Sequence, residues 1–384
     1  GSRYGGGLRR NRCQGLRRRF VGAIFERKGK KMSNQLTNIL FWIIVVPVIV
    51  VLGLIASWIV RKVSALVQWR VGPPLFQPAY DVMKLMGKEI LLPRDAQRTV
   101  FLIAPLVGLA GTLLLSLMLL RITFAQTAFV GDIIVAIYLM VIPSLALILG
   151  SSASASPHAS VGTGREMKLV MSYELPLILA FVVVLIKTAG SVGPGEQLSL
   201  AAIAQQAPAF SISGMLAFLA ALLCVQAKLG FVPFDIAEAE TELGGGVLME
   251  YSGALLAAWK LMHAIMLVAL PFFLAMIFLG GFHPDLPSAG VVVLVVVVAL
   301  LAFAGTRLLA ARSKLMDVLS LVFFIGLCIW LGLGKYVLIL VLLILIKNTN
   351  PRLRIDQAMK FFWVYCGVAL VAAIILASVG YYYD

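Results

Sequence analysis

The sequence predicts an all-α fold, a polytopic helical membrane protein with about nine transmembrane helices (eight to ten) plus one amphipathic interfacial helix. Hydrophobic residues make up 61% of the 384 residues, and charged residues make up only 13%. Soluble domains average about 25% charged residues. Uncharged apolar runs of about 20 residues, the length that crosses the hydrocarbon core of a bilayer, also recur along the chain.

The strong positive charge of the chain comes mainly from its first residues. The formal net charge is +15, yet residues 1–31 hold eleven Lys and Arg against one acidic residue, Glu26. Nucleic-acid binding is therefore not indicated. We expect residues 1–31 to be a basic disordered tail that need not be native, because Met32 reads as a natural start. Residues 32–384 are expected to form a single membrane domain.

The membrane spans follow from the apolar runs. They are expected at residues 36–60, 100–120, 133–150, 165–187, 212–228, 254–280 and 361–379. Residues 151–164 and 188–211 are expected to be loops. Basic residues at 307–317 and at 347–360 both favour the cytoplasm, which leaves the number of crossings between residues 281 and 347 open.

The first long loop, residues 61–98, contains seven Lys and Arg and is therefore expected in the cytoplasm. An amphipathic helix is predicted inside it from Pro78, a residue suited to a first helical turn. On that helix Asp81, Lys84 and Lys88 share one face. The segment is too short and too charged to cross a bilayer, so it should lie at the interface.

Residues 231–253, the acidic stretch, stand out because the whole chain has only 17 acidic residues. Five of them lie here: Asp235, Glu238, Glu240, Glu242 and Glu250. On a helix, the first, second and fourth of these would fall within about 60° of one another. Carboxylates crowded between apolar spans lose hydration and repel, so some should bind and share protons. The stretch is therefore a candidate proton path.

Glu174 lies in the fourth span, residues 165–187, beyond Lys168, and Pro176 should loosen the helix beside it. Arg165, Lys168 and Ser172 share a helical face. Arg165 is a candidate counter-charge that keeps nearby carboxylates ionised, although an ordinary cationic anchor at the start of a span has the same pattern. Glu166 could pair with Arg165 or with a partner subunit.

A second set of charged residues lies in the predicted cytoplasmic loops. Its members are Arg70, Asp81, Lys84, Glu89, Arg352, Arg354 and Asp356. They are candidates for subunit docking, and the alternative is a solvated charged surface. The four cysteines are far apart and form no C-x-x-C motif, so no metal or cofactor site is expected in this chain.

Four segments together resemble one family. They are R-V-G-P-P-L-F-Q-P-A-Y-D-V-M-K-L-M-G-K-E (70–89), G-R-E-M-K-L-V-M-S-Y-E-L-P (164–176), F-D-I-A-E-A-E-T-E-L…M-E-Y-S-G (234–253) and N-P-R-L-R-I-D-Q-A-M-K-F-F (350–362). They resemble the family of H-type membrane subunits of respiratory complex I and its relatives. The resemblance implies a subunit that joins a peripheral redox arm to a membrane arm, with the acids of residues 235–250 on the family's acidic path.

Within that family, V-G-T-G-R-E-M (161–167) and the segment 346–362 look more like energy-converting membrane-bound nickel–iron hydrogenases and formate hydrogenlyases. G-G-G-V-L-M-E-Y (244–251) departs from the quinone-reducing branch. This closer resemblance implies three kinds of partner: a hydrogenase-like large subunit, an iron–sulfur small subunit and antiporter-like membrane subunits. The nickel–iron centre and the iron–sulfur clusters would then belong to those partners.

The sequence thus favours an ion-translocating connector subunit with no catalytic turnover of its own. It would lie in the cytoplasmic (inner) membrane with its acidic loops facing the cytoplasm. One alternative is a quinone-chamber subunit of an oxidoreductase that takes electrons from NADH or a reduced deazaflavin. The other is a stand-alone cation transporter. The residues do not distinguish proton from sodium as the coupled ion.

Overall fold

The structure is a computed structural model that describes residues 45–125, 131–189, 198–206, 208–239, 242, 244–281 and 333–383. The chain divides into two units at Ile49, and only residues 45–49 of the first unit are described. The contacts that position the site all lie in the second unit. Within the described residues, every regular element is a helix.

The helices are numbered in chain order. They are α1 (Val45–Val67), α2 (Gln77–Met86), α3 (Arg98–Ala125), α4 (Asp132–Ser152), α5 (Pro157–Ala189), α6 (Leu200–Ile203), α7 (Ile212–Lys228), α8 (Gly253–Phe278), α9 (Leu333–Thr349), α10 (Ile355–Lys360) and α11 (Gly367–Tyr383). A π-helical segment, Phe361–Cys366, joins α10 to α11, so these three form one continuous rod. Short 3₁₀ turns occur at Pro208–Phe210 and Gly246–Leu248.

Six of these elements are long and apolar enough to cross a bilayer. They are Val45–Val67, Arg98–Thr123, Asp132–Ser152, Pro157–Ala189, Gly253–Phe278 and Ile355–Gly380, and α7 is a shorter apolar helix. The predicted helical membrane fold is thereby supported, and α2 forms where the amphipathic helix was predicted. The remaining predicted crossings fall outside the described residues, so the total of about nine stays a prediction.

The prediction of a loop over residues 151–164 is wrong for its second half, because α5 begins at Pro157 rather than near Arg165. The serine-rich segment can be helical because its hydroxyl groups find acceptors one turn back. Ser160 donates to the carbonyl of Ser156, and Thr163 donates to the carbonyl of Ala159. Two additional helical turns therefore project from the apolar part of α5 towards the acidic stretch.

Helix α8 lies at the centre of the bundle and is the most buried of the six spans. It packs against α3, α7, α9 and the interfacial helix α2. Aromatic pairs fix these contacts: Phe273 meets Phe181 of α5 edge-to-face at 5.4 Å, and Phe278 meets Phe218 of α7 at 5.6 Å. Of the six spans, α1 and the last span are the least buried.

The ends of α8 and α9 meet at one end of the bundle. The ammonium group of Lys335 donates to the carbonyl oxygens of Leu279 at 2.8 Å and of Gly280 at 2.5 Å. A cation at the last carbonyls of a helix is favourable because it complements the helix dipole. From there α9 runs back to Lys347, which lies beside the acidic stretch.

The acidic stretch is not helical over residues 231–239, which corrects the expectation of a shared helical face. Its carbonyls are committed to other donors: Val232 accepts from the Gln226 side chain at 2.8 Å, and Pro233 accepts from the backbone N–H of Leu353 at 3.0 Å. The segment therefore turns back on itself between α7 and the start of the last span.

The acidic stretch also lies unusually close to α5 and to its own later turn. Gly246 has a left-handed backbone (φ 50°), and a Cβ atom at this position would lie 2.0 Å from the carbonyl oxygen of Ala237. At Gly162 of α5, a Cβ atom would lie 3.0 Å from the backbone nitrogen of Val247. Only glycine permits the approach at Gly246, and a side chain at Gly162 would be tightly packed, so the path of the acidic stretch depends on both positions.

We therefore expect Gly246→Ala to displace the segment around Ala237 and to lower the thermal midpoint of unfolding in detergent. Gly244→Ala is the matched control, because Gly244 has a similar backbone conformation (φ 64°) but open space around its Cβ position. The control should lower the free energy of unfolding by only about 1–2 kcal/mol, which is the cost of a left-handed backbone conformation for a residue other than glycine. An equal decrease of the thermal midpoint in the two variants would show that the close approach of residue 246 to Ala237 does not contribute to stability.

Candidate functional site

The most buried charges in the site form an ion pair between two spans. Lys228, the last residue of α7, donates a hydrogen bond from its ammonium group to a carboxylate oxygen of Glu174 in α5. The Lys228 side chain is fully buried, and that of Glu174 is 15% exposed. The ammonium also lies 5.2 Å from the ring centroid of Tyr173. Both charges have lost most of their hydration, so each depends on the other for stabilisation.

Tyr173 connects this pair to its surroundings. Its hydroxyl lies 3.2 Å from that of Ser144 in α4, and its ring meets that of Phe362 edge-to-face at 6.3 Å. Phe362 belongs to the π-helical segment and also packs on Phe234 of the acidic stretch at 4.7 Å. Aromatic side chains thus link the buried pair to the acidic stretch through the last span.

Glu166 of α5 interacts electrostatically with both the acidic stretch and the buried pair. It is partly buried, and its carboxylate is close enough to feel both the negative charge of Glu238 and the positive charge of Lys228. Electrostatic interactions therefore connect four charged groups: Glu238, Glu166, Lys228 and Glu174.

Two arginines hold the acidic stretch from either side. Arg165 of α5 donates to a carboxylate oxygen of Glu242 at 2.6 Å, and Arg352 donates to Asp235 at 2.8 Å. The hydrogen bond from Arg165 lowers the pKa of Glu242 below its ordinary value, although the Glu242 side chain is 61% exposed. Arg165 is thus the counter-charge of Glu242 in the acidic stretch. It pairs with this residue rather than with its neighbour Glu166, the other partner that the sequence allowed.

A further cation approaches the stretch from α9. The ammonium group of Lys347 lies 4.4 Å from the ring centroid of Phe231, in a cation–π arrangement. Asp235 exerts an attractive electrostatic effect on it. The ring of His263 packs edge-on against Phe231 at 5.9 Å, so this histidine is held against an aromatic side chain of the acidic stretch.

The far end of the acidic stretch is tied to the rest of the bundle through Tyr251. Its ring stacks on Phe101 at 4.1 Å, and its hydroxyl donates to the Phe101 carbonyl at 3.3 Å. Burial raises the pKa of Tyr251 above its ordinary value. Glu250 beside it is partly buried, whereas Glu240, the remaining predicted acid, lies outside the described residues.

Two of the predicted docking residues are engaged within the chain. Arg352 pairs with Asp235, and Asp81 accepts from Arg61 at 2.7 Å and from Gln77 at 3.1 Å. The hydrogen bond from Arg61 lowers the pKa of Asp81. The other five are exposed: Arg70, Lys84, Glu89, Arg354 and Asp356. Their docking role stays a prediction.

Sequence reasoning did not single out Lys228, which looked like an ordinary cation at the end of an apolar span. The only signal was its position, three residues before the acidic stretch, because its partner lies 54 residues earlier in the chain. In the described part of the chain, no three His, Cys, Asp or Glu side chains are grouped as a metal site would need. The arrangement is suited to holding charge and to exchanging protons between neighbouring groups.

Comparisons with known proteins cover almost the whole chain. A family described as NADH dehydrogenase matches residues 39–378. The H subunit of the NADH-quinone oxidoreductase of Anoxybacillus flavithermus is 31% identical, over 86% of this chain and 91% of its own length. The corresponding H subunit of Geobacillus thermodenitrificans is 30% identical, with the same two shares.

A solved structure is also similar: the membrane-bound sulfane sulfur reductase, an archaeal respiratory membrane complex. The matched chain is 25% identical with a TM-score of 0.69, and the match covers 88% of this chain and 99% of that one. The whole candidate site lies within the family match, as do the described helices apart from the last residues of α11. The chain therefore belongs to the NADH dehydrogenase family of membrane subunits, as a homologue of the H subunit of complex I.

Proposed function

We propose that this chain is the ion-translocating membrane connector of a complex-I-related redox complex, in which electron transfer in partner subunits drives proton (or sodium) movement here. The observation that carries the proposal is the buried pair of Lys228 and Glu174, reached from the acidic stretch through Glu166. Ionisable side chains buried inside a membrane domain are costly, so a buried ion pair is a candidate functional site in a membrane protein.

Coupling requires that a charge change near Glu238 alters the proton affinity of the groups connected to it, which are Glu166, Lys228 and Glu174. Two unit charges 4 Å apart interact by about 4 kcal/mol at an effective dielectric constant of 20. About 1.4 kcal/mol corresponds to one pKa unit. A new charge near Glu238 can therefore shift the protonation of Glu166, and Glu166 can act in turn on the pair of Lys228 and Glu174. The coupling is reciprocal, because ion binding at Glu174 must also act back on the redox step.

The resident cations favour the proton over sodium as the coupled ion. Glu174, Glu242 and Asp235 each already bind a lysine or arginine. A proton needs only one free oxygen on a carboxylate, whereas a sodium ion must gather several oxygen ligands to replace its hydration shell. Proton uptake by Glu174 would also release Lys228, which gives the pair two distinct charge states.

We assign the redox partner to the hydrogenase type. Support comes from the segments 161–167 and 346–362 and from the departure from the quinone branch at 244–251. The partners would be a hydrogenase-like large subunit and an iron–sulfur small subunit, with antiporter-like subunits beside them in the membrane. Exposed Arg354 and Asp356, next to Arg352 at the acidic stretch, would serve for docking.

A quinone-chamber subunit is the second candidate, because the curated relatives are named as subunits of NADH-quinone oxidoreductases. The similar solved complex is instead named for sulfane sulfur reduction. Complexes with related membrane subunits are thus named for different redox substrates.

In the assembled complex, Glu174→Gln should reduce ion translocation in proteoliposomes by more than about tenfold, because Lys228 would keep its charge without a protonatable partner. Redox turnover with a soluble dye should stay within about twofold of wild type, since the redox centres belong to other subunits. Asp95→Asn, which removes an exposed carboxylate that belongs to neither the acidic stretch nor the predicted docking set, is the control. Unchanged ion translocation in Glu174→Gln would refute the proposed path.

Purification of the complex through a tag on this chain should yield partner subunits that contain nickel and iron–sulfur clusters. It should also yield hydrogen-dependent dye reduction that is insensitive to quinone-site inhibitors. Inhibitor-sensitive quinone reduction without nickel would replace the hydrogenase assignment by the quinone-chamber candidate. Ion transport by this chain alone in liposomes would contradict both.

A further inference from the structure

Residues 68–94, the strap, cover one end of α1 and α8 and present an apolar outer face. Helix α2 forms the middle of the strap. Its outward side carries Phe76, Tyr80 and Met83 within about 60° of one another, and these side chains are 63%, 56% and 58% exposed. Trp69 and Val71, which precede α2, are almost completely exposed. Isolated exposed apolar residues are common, but a contiguous patch of this kind marks an interaction surface.

The inner side of the strap is fixed to the bundle, so the outward patch has a defined position. The indole N–H of Trp58 donates to the carbonyl of Pro73 at 3.1 Å. Asp81 pairs with Arg61, and the backbone N–H of Leu91 donates to the hydroxyl of Ser252 at 2.8 Å. Three hydrogen bonds, two from α1 and one from Ser252 just before α8, therefore hold the strap in place.

The level of the strap relative to a bilayer follows from α1. Val51, Ile55, Lys62 and Leu66 lie within about 60° of one another on this helix, and its three apolar members are exposed. This stripe is apolar up to Lys62, whose long side chain can reach the headgroup region from an apolar surface. The strap packs on that lysine, since a Cβ atom at Gly72 would lie 2.6 Å from its Cδ atom.

The strap also has an excess of exposed positive charge. Arg70, Lys84, Lys88 and Arg94 are exposed, against one exposed acid, Glu89, because Asp81 is neutralised by Arg61. Lys84 lies about 40° from Tyr80 around α2, at the edge of the apolar patch. An apolar, aromatic face rimmed by basic residues complements a membrane surface that contains anionic lipids.

We propose that the strap is a recognition surface for anionic phospholipid headgroups, with Lys84 and Lys88 contacting phosphate groups while Phe76, Tyr80 and Met83 enter the acyl boundary. This assigns Lys84 to lipid rather than to a partner subunit. The proposal rests on the membrane fold and the strap alone, so it holds whichever redox complex the chain serves. Through Ser252, the strap is attached to the end of the acidic stretch, which places bound lipid next to the proposed ion path.

The test uses the purified complex in nanodiscs and the fluorescence of Trp69, obtained as the difference between the wild type and Trp69→Phe. Dibrominated phosphatidylglycerol and dibrominated phosphatidylcholine are compared as quenchers at equal mole fraction. We expect the anionic lipid to quench Trp69 several-fold more strongly. Lys84→Gln/Lys88→Gln should remove most of that preference, because each lysine near the surface attracts anionic lipid, and high salt should weaken it in the wild type.

Lys360→Gln is the matched control, since it removes an exposed lysine from α10 and should leave the preference unchanged. Equal quenching by the two lipids would show contact with the bilayer without recognition of anionic headgroups, and would overturn the proposal. Absence of quenching by either lipid would show that another subunit covers the strap, and would overturn it as well.

Discussion

The ammonium of Lys228 and the carboxylate of Glu174 are two full charges inside a bundle of apolar helices, and they must stay together. Removing a charge from water costs several kcal/mol even after the protein relaxes, and the mutual attraction offsets this cost only while the geometry is kept. This requirement fixes the end of α7 against the middle of α5. It thereby determines where the chain leaves α7 and enters the acidic stretch, so the positions of Asp235 and Glu238 follow from it.

The acidic stretch meets a second constraint, which concerns its backbone. At the edge of a membrane domain, backbone carbonyls need partners as much as charges do. Those of Val232 and Pro233 bind Gln226 and Leu353, so these residues cannot form a helix. The carboxylates are consequently distributed along an irregular loop with arginines on both sides. Such a loop can change shape when a charge changes more readily than a helix, whose hydrogen bonds form a continuous ladder.

Hydropathy was sufficient to predict most of the fold, since span length is set by bilayer thickness and can be counted in the sequence. It failed at residues 157–164, where serine and threonine hydroxyls bind helix carbonyls and a polar segment becomes helical. Helical periodicity failed at residues 231–239, because the carbonyls of Val232 and Pro233 accept hydrogen bonds from donors outside the segment. The family could be recognised from four short segments, and the match to residues 39–378 supports that recognition.

The candidate site was only partly predictable, because ion pairs between distant segments leave no local pattern. Arg165 could be named as a counter-charge, yet its partner Glu242 lies 77 residues away. Lys228 was not singled out, and Asp81 and Arg352, which were predicted as docking residues, are both paired within the chain. The roles of the individual carboxylates in ion movement stay a proposal.

The most direct measurement is a double-mutant cycle on the buried pair, with unfolding in detergent followed for Glu174→Gln, Lys228→Met and the two combined. Each single variant leaves one charge buried without its partner and should lose about 3–5 kcal/mol. The double variant should be more stable than either single variant, with a coupling energy of at least about 2 kcal/mol. Losses that simply add would contradict the account, because they would mean that Lys228 and Glu174 are stabilised independently.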